Sequence, residues 1–217
     1  MLFTVCAIAS RFYPERPTLY SHLMHYAQLA AGTALITGTK NVEMCSAYIL
    51  LSLYPVPAKR WEDQRSWLYL GLAIRYDTNS SATTRVFLTL LFSTATDLNL
   101  HLPNTAKPLS ENHAREMLNR TRIWLNCFNL DRSTGSQYGK PPTINNMDYT
   151  ANHSEDWWKS SPYNMRHFDI QLCAYNAELR VMAKFIGKIY SDPHHPTGLN
   201  KVSDDIDLNI SMLTRKT

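Results

Sequence analysis

The chain has 217 residues, of which 44% are hydrophobic, 18% are charged and only 7 are glycine, and its formal net charge is +4. This length is typical of one domain with its own core, and so few glycines argue against a sandwich or barrel with many tight turns. The basic residues form no tract, so the charge gives only weak support for nucleic-acid binding. No apolar run approaches the roughly 20 residues of a membrane span, and we expect no contact with a membrane.

Apolar residues at helical spacing predict helices in the first third of the chain. The first helix begins after Thr18 and ends at Gly38. Its predicted apolar face consists of Leu19, Leu23, Tyr26 and Ala30. A second helix ends before Pro55, and a third, Arg60–Arg75, is apolar nearly all round. That pattern is typical of a central helix that is surrounded by others.

Two longer helices are predicted in the second half. One opens at Ser110 and keeps a broad apolar face as far as Phe128. A loop region rich in Pro, Asn and Ser follows over Asn129–Pro162, and the last helix runs from Tyr163 to Tyr190. The predicted apolar seam of that helix is Phe168, Leu172, Tyr175, Leu179, Met182, Ile186 and Ile189. Together the segments predict an all-α fold, a bundle of antiparallel helix pairs around a central hydrophobic helix with one long loop region.

The cysteines give no sign of a metal site. Cys6, Cys45, Cys127 and Cys173 are widely separated, form no C-x-x-C pair and have no His at ligand spacing. Isolated cysteines on apolar helix faces are typical of reduced core residues in a cytosolic or nuclear protein. We therefore expect no metal or other cofactor in this chain.

Most catalytic signatures are missing from the sequence, including H-E-x-x-H, G-x-S-x-G and the Walker loop. We therefore predict that the protein is not an enzyme. A helical metal-dependent hydrolase is the alternative, and it requires that a few titratable side chains converge in one cleft. The candidates for that cluster are His22, His25, His101 and Asp131.

Asp131 is the one residue whose predicted position is physically odd. It falls on the apolar stripe of Trp124 and Phe128, near the predicted end of a helix, where negative charge is disfavoured. A carboxylate in such a place needs a partner, and Arg132 and Arg75 are the candidates. We predict a structural ion pair that fixes the helix end, with a ligand-reading carboxylate as the alternative.

Several runs of sequence form a recognisable set. They are W-x-Y-x-G-x-A-x-R at Trp67–Arg75, A-x-D-L-x-L-H at Ala95–His101, R-x-R-x-W with a terminal D-R at Arg120–Arg132, and G-K-P-P-T-I at Gly139–Ile144. Together they resemble the fungal-specific transcription factor domain, the regulatory region of zinc-binuclear-cluster transcription factors. Leu125 stands where the family has a second Trp. Lys140 stands where it has Arg, which keeps the charge but loses the bidentate geometry of a guanidinium.

The resemblance implies a non-catalytic regulatory domain of a nuclear transcription factor, acting in the regulation of DNA-templated transcription. It implies that zinc and specific DNA are bound by a separate six-cysteine module. We expect that module to be absent from this chain, which would then be a fragment of such a factor. The expected partners are co-regulator proteins or a second copy, with a small-molecule effector as a further candidate. A helical interaction scaffold unrelated to transcription is the alternative.

The motif residues are expected to be scaffold residues that fix the central helix against the long helix and its loop, and none is expected to be catalytic. They are Trp67, Gly71, Arg75, Asp97, His101, Arg122, Trp124, Asp131, Arg132, Gly139 and Pro141.

One stretch interrupts the pattern that the family would show. The residues Tyr76–Ser93 separate Arg75 from Thr94, and their removal would restore one continuous helix. We interpret 76–93 as an insertion or a retained intron, because eighteen codons keep the reading frame; a genuine surface loop is the alternative. We extend the same hypothesis to the tail 202–217. The remaining residues, 1–201, are then expected to be one incomplete regulatory domain. Genomic DNA without a GT at the start of this stretch or an AG at its end would exclude the intron.

Overall fold

A computed structural model describes residues 1–57, 94–103, 106–138 and 141–192, together with 194, 196 and 199. These residues form α1 (Leu2–Ser10), α2 (Leu19–Ile36), α3 (Val42–Leu53), α4 (Thr94–Asp97), α5 (Glu111–Tyr138), α6 (Tyr149–Asn152) and α7 (Arg166–Ile189), with a 3₁₀ turn at Trp157–Lys159. The part of the chain that the structure describes contains no β-strand, and the predicted all-α fold is confirmed. The predicted central helix Arg60–Arg75 and the segments 76–93 and 202–217 lie outside the described residues.

Helices α1 and α2 pack against each other through small side chains. The buried residues of α2 are Met24, Ala27 and Ala31, and α1 buries Ala7 and Ser10. The predicted apolar face of α2 was only partly right, because Leu23 packs against the core whereas Tyr26 is 59% exposed. Since α2 is apolar on more than one side, periodicity alone does not select the face. Its contact with α1 favours the stripe of small residues, which permits a close approach of the two helices.

Helix α3 lies at the centre of the described core. Its N-terminus is capped by Asn41, whose side chain accepts a 2.8 Å hydrogen bond from the amide of Met44. Half of its residues are buried, and the Tyr48 hydroxyl donates to the carbonyl of Ala31 in α2 at 3.0 Å. Cys45 of α3 and Cys127 of α5 are completely buried in the same cluster, and the described cysteines are free thiols.

Helix α5 is longer than its sequence predicts. It begins after Ser110, whose hydroxyl accepts a 3.2 Å hydrogen bond from the amide of His113, and it ends at Tyr138. The prediction that a loop starts at Asn129 was therefore wrong. Asn, Asp, Ser and Gly are weak helix formers, but the side chains of Asn129 and Asp131 are buried and hydrogen-bonded to other segments. Those tertiary contacts carry the helix beyond its local preference.

Helix α7 packs along α5 with a face that the apolar pattern only half predicts. Leu172 and Leu179 are buried as expected, whereas Tyr175 is 40% exposed. The buried face of α7 consists of Asp169, Leu172, Cys173, Asn176 and Leu179. Because this face includes a carboxylate and an amide that find partners across the interface, a search for apolar spacing alone misplaces it. None of the described helices meets the length and hydropathy needed to cross a membrane.

Candidate functional site

Helix α5 brings four of the predicted motif residues into the interior. Arg122, Trp124, Asp131 and Arg132 are all buried, which is unusual for three charged side chains. They bond to α7, to the cap of α6 and to the loop after α5, so the helix lies at the centre of a buried polar network.

Arg122 and Asp169 form a bidentate ion pair between α5 and α7. Arg122 Nε donates to Asp169 Oδ1 at 2.7 Å, and Nη2 donates to Oδ2 at 2.9 Å. Asp169 also accepts from Asn164 Nδ2 at 3.0 Å and from the amide of Met165 at 2.9 Å. Burial raises the pKa of Asp169, but these hydrogen bonds and the charge of Arg122 outweigh it and hold the pKa below its usual value.

The carboxylate of Asp131 is hydrogen-bonded to backbone amides. Both of its carboxylate oxygens accept from the amide of Thr143, at 3.0 and 2.9 Å, and Oδ2 accepts from the amide of Ile144 at 2.9 Å. The neighbouring Arg132 Nη1 lies 4.0 Å from Oδ2, at the outer limit of an ion pair. Burial raises the pKa of Asp131 above its usual value, although the amides and the Arg132 charge act against this. Arg75, the other predicted partner, lies outside the described residues.

Arg132 is hydrogen-bonded to the same loop. Its Nη2 donates to the carbonyl of Ile144 at 2.6 Å, and its guanidinium carbon lies 4.7 Å from the centre of the Phe128 ring. Burial lowers the pKa of Arg132, since the charged form is desolvated. Asp131 therefore binds the loop after α5 through the amides of Thr143 and Ile144, and Arg132 binds it through the Ile144 carbonyl. Pro141 lies exposed near the start of that loop.

Trp124 and His101 meet on another side of α5. Trp124 Nε1 donates to Asp148 Oδ1 at 3.1 Å, and the same oxygen caps α6 by accepting from the amide of Ala151 at 2.8 Å. The His101 ring lies 5.8 Å from the Trp124 ring, and Thr150 Oγ1 donates to the His101 carbonyl at 2.7 Å. These contacts tie the chain after α4 to α6.

A neutral amide link joins α5 to α7 between the two charged groups. Asn176 Nδ2 donates to Asn129 Oδ1 at 3.0 Å, and Asn129 Nδ2 donates to the Leu172 carbonyl at 3.3 Å. Ser154 Oγ donates to Asn176 Oδ1 at 3.0 Å. Sequence reasoning missed Asp169, Asn176 and Ser154. The available signal was the helical spacing of Asp169 and Asn176 with the apolar Leu172, which places polar residues on a buried stripe.

The remaining motif residues are placed only in part or not at all. Asp97 ends α4, and only its backbone is described. Trp67, Gly71, Arg75 and Gly139 lie outside the described residues, so their scaffold roles remain predictions.

The residues proposed for a metal-dependent hydrolase do not converge. His22 and His25 are exposed on α2, whereas Asp131 is buried on α5 against the loop amides. Among the described side chains, no three His, Cys, Asp or Glu residues are grouped so that they could hold a metal ion. The described geometry therefore lacks the cluster that this alternative requires.

A cavity of about 490 Å³ adjoins the network on the N-terminal half of α5. Its walls come from α5, from the proline-containing stretch before it, from α6 and from the chain that includes the 3₁₀ turn. The residues that line it are Pro103, Ala106, Pro108, Ala114, Met117, Leu118, Thr121, Tyr149, Thr150, His153, Trp157, Ser160, Ser161, Pro162 and Tyr163. Most of this lining is apolar or aromatic, which is typical of a ligand pocket.

Comparisons with known proteins agree on one family. The family model of the "Fungal specific transcription factor domain" matches residues 1–211. The "Transcriptional regulatory protein SEF1" of Candida albicans is 29% identical over 167 residues, which cover 76% of this chain and 17% of that protein. The "Putative transcription factor SEF1" of Kluyveromyces lactis is 30% identical over 144 residues, covering 66% of this chain and 11% of that protein.

A third relative is the "C6 finger domain transcription factor hasF" of Aspergillus fumigatus, which is 24% identical over 144 residues, covering 66% of this chain and 16% of that protein. The chain therefore spans less than a fifth of the length of these curated relatives. No solved structure matches the chain significantly.

Proposed function

The chain belongs to the fungal-specific transcription factor domain family, and we propose that it is a regulatory, non-catalytic domain that acts in the control of DNA-templated transcription in the nucleus. The observation that carries the proposal is the family match over residues 1–211. The matched relatives, whose names describe transcription factors and regulators, support it.

The buried polar network supports a scaffold role for the motif residues. Arg122 and Asp131 bond to protein groups inside the described fold, so these charges serve to join segments. A buried pair of this kind fixes how helices are arranged more than it adds stability. We propose that the fixed arrangement of α5, α7 and the loop after α5 presents surfaces to co-regulator proteins or to a second copy of the chain. Zinc and specific DNA would be bound by a separate six-cysteine module, and this chain itself would hold no cofactor.

The domain boundaries are part of the same proposal. We place the regulatory domain at 1–201, with 76–93 as an insertion or retained intron and 202–217 as a tail, of which the family match includes the first ten residues. Sequencing the messenger RNA against the genomic DNA tests this, since a retained intron requires splice signals at both ends of the inserted codons. A spliced messenger that still encodes 76–93 would contradict the intron.

A reporter experiment tests the regulatory role. The full chain is fused to a heterologous DNA-binding module, and transcription from a promoter with that module's site is compared with transcription driven by the module alone. We expect a several-fold change in either direction. Asp169→Ala, which breaks the buried pair, should remove the change, whereas the matched control Asp156→Ala, at a side chain that is 79% exposed, should retain it.

Unchanged reporter output in the fusion, at equal protein level, would contradict the regulatory role. That result would favour the alternative of a helical scaffold unrelated to transcription.

A further inference from the structure

The cavity beside α5 has the size and walls of a site for a small aromatic molecule. Its volume of about 490 Å³ lies within the range of about 300–1,000 Å³ that is typical of ligand pockets. Tyr149, Trp157 and Tyr163 contribute aromatic walls, and the rings of Tyr149 and His153 are stacked with their centres 4.0 Å apart. Flat aromatic walls favour a ligand that is itself aromatic, because offset stacking and edge contacts then add to burial.

Two of these rings lie against arginine side chains. The guanidinium of Arg122 lies 5.7 Å from the centre of the Trp157 ring, and the guanidinium of Arg115 lies 5.4 Å from the centre of the Tyr163 ring. Arg122 is itself fixed by its bidentate pair with Asp169. The Trp157 wall is therefore connected to the buried network through Arg122, which reduces the cost of ordering it when a ligand binds.

The charge of the lining favours a neutral ligand. None of the described residues that line the cavity is Asp, Glu, Lys or Arg. A charged ligand would lose its hydration in this site without gaining an opposite charge, and that desolvation is costly.

Three polar groups of the lining, at Thr121, Thr150 and His153, offer acceptors to a ligand. The hydroxyl of Thr121 donates to the Met117 carbonyl at 3.4 Å, and the hydroxyl of Thr150 donates to the His101 carbonyl at 2.7 Å. Because a carbonyl only accepts, the 2.8 Å contact between His153 Nδ1 and the Tyr149 carbonyl places a proton on that nitrogen. Each of these groups already donates a hydrogen bond to a protein carbonyl. The two hydroxyl oxygens keep lone pairs that can accept a hydrogen bond from a ligand.

We propose that this cavity binds a neutral aromatic molecule that carries an N–H or O–H donor, in the chemical class of arylamines and phenols. Such a ligand would contact α5, the proline-containing stretch before it, α6 and the 3₁₀ turn at once. Occupancy would therefore stabilise the arrangement of four segments that the network joins. The role of the ligand as an effector rests on the proposed regulatory function, whereas its binding does not.

Calorimetric titration of the full chain with diphenylamine tests the proposal. Diphenylamine is neutral and has one N–H donor, and N-methyldiphenylamine is the matched probe without that donor. We expect saturable binding of one diphenylamine per chain and several-fold weaker binding of the methylated probe. Equal affinities for the two probes would overturn the assignment of a donor to the ligand.

Variants locate the binding in the cavity. Met117→Trp fills it from α5, and Ala106→Trp fills it from an exposed position, so that a folding defect in the first variant does not decide the outcome. Each should weaken diphenylamine binding by at least about tenfold. The matched control is Met147→Trp, at a side chain that is 81% exposed and outside the lining, and it should bind as the wild type does.

Two results would overturn the cavity as the site. One is the absence of saturable binding to the full chain, and the other is equal binding by Met117→Trp, Ala106→Trp and the wild type. Because calorimetry measures binding without transcription, either result leaves the reporter test of the regulatory role unaffected.

Discussion

Asp169 and Asp131 are both completely buried, yet the protein accommodates their charges in different ways. Asp169 faces the guanidinium of Arg122, and its pKa lies below the usual value. Asp131 faces the amides of Thr143 and Ile144, and its pKa lies above the usual value. At Asp169 the guanidinium of Arg122 and the hydrogen bonds from Asn164 and Met165 together outweigh the cost of burial, whereas at Asp131 the amides and the more distant Arg132 do not.

The two carboxylates also act over different distances along the chain. The Arg122–Asp169 pair joins residues 47 positions apart and so fixes α5 against α7. Asp131 bonds to amides 12 and 13 positions away and fixes only the loop that follows α5. Loss of Asp169 leaves the buried cation Arg122 without its bidentate partner, whereas loss of Asp131 leaves two neutral amides and removes only a 4.0 Å contact from Arg132. The pair between helices should therefore be the more sensitive of the two.

The largest effect is expected from Asp169→Ala. Breaking a buried ion pair by removing one partner costs about 3–5 kcal/mol, because Arg122 stays buried without a counter-charge. Urea denaturation of the purified chain measures this loss of unfolding free energy. The control Asp156→Ala removes an exposed pair with Lys159 and should change stability by less than about 1 kcal/mol.

A double variant distinguishes the loss of the ion pair from the cost of leaving Arg122 buried without a counter-charge. Arg122→Met with Asp169→Leu replaces both charges by apolar groups, and it should be more stable than Asp169→Ala alone. A loss of less than about 1 kcal/mol in Asp169→Ala would show that the buried pair does not fix α5 against α7.

Asp131→Ala should have the second-largest effect, a loss of about 2–3 kcal/mol, since two amides lose their acceptor inside the protein. Asp131→Asn is the matched control, because it keeps one carboxamide oxygen as an acceptor and should lose less. Urea denaturation gives the free energies, and proteolysis should show cleavage near Thr143 before global unfolding. If Asp131→Ala costs as much as Asp169→Ala, the contact with Arg132 acts as a full ion pair.

The same difference explains how much the sequence could predict. The all-α class and the helices α2, α3, α5 and α7 follow from apolar spacing, whereas the motif residues on α5 follow from the family resemblance of the run Arg120–Arg132. The length of α5 does not, because Asn129 and Asp131 favour a loop locally and are kept helical by partners that are distant in sequence. Local propensity cannot contain that information.

Asp169 illustrates the second limit. Its position in the first turn of a helix is common for an acidic residue, so the helical spacing that it shares with Leu172 is the one local sign that it is buried. Its burial depends on Arg122, 47 positions earlier. The cavity is a similar case, since its walls come from four segments that only the fold brings together.

Asn176→Ala tests the neutral link that lies between the two carboxylates. The change removes the hydrogen bonds with Asn129 and Ser154 from a buried site, and we expect a loss of about 1–2 kcal/mol in unfolding free energy by urea denaturation. Asn152→Ala, which removes a more exposed hydrogen bond to the Asn146 carbonyl, is the control and should lose less. Equal losses would show that the amide link adds nothing through its burial.

The smallest effect, and the most direct test of the comparison, is the pH dependence of stability. The folded pKa of Asp169 is below its ordinary value of 3.8, so its contribution is present above that value and is lost as the pH falls through the folded pKa. The folded pKa of Asp131 is above 3.8, so its contribution is present below that value and is lost as the pH rises through the folded pKa.

Asp169→Asn and Asp131→Asn cannot titrate at these positions. Their free energies of unfolding should therefore change in opposite directions relative to the wild type. As the pH rises, the free energy of unfolding of Asp169→Asn should fall relative to that of the wild type. That of Asp131→Asn should rise relative to the wild type over the same range, because the wild-type carboxylate loses its buried proton there. Urea midpoints measured from about pH 3 to 7 give both differences. Differences of the same sign would mean that the amides of Thr143 and Ile144 stabilise the charge of Asp131 as fully as Arg122 stabilises that of Asp169.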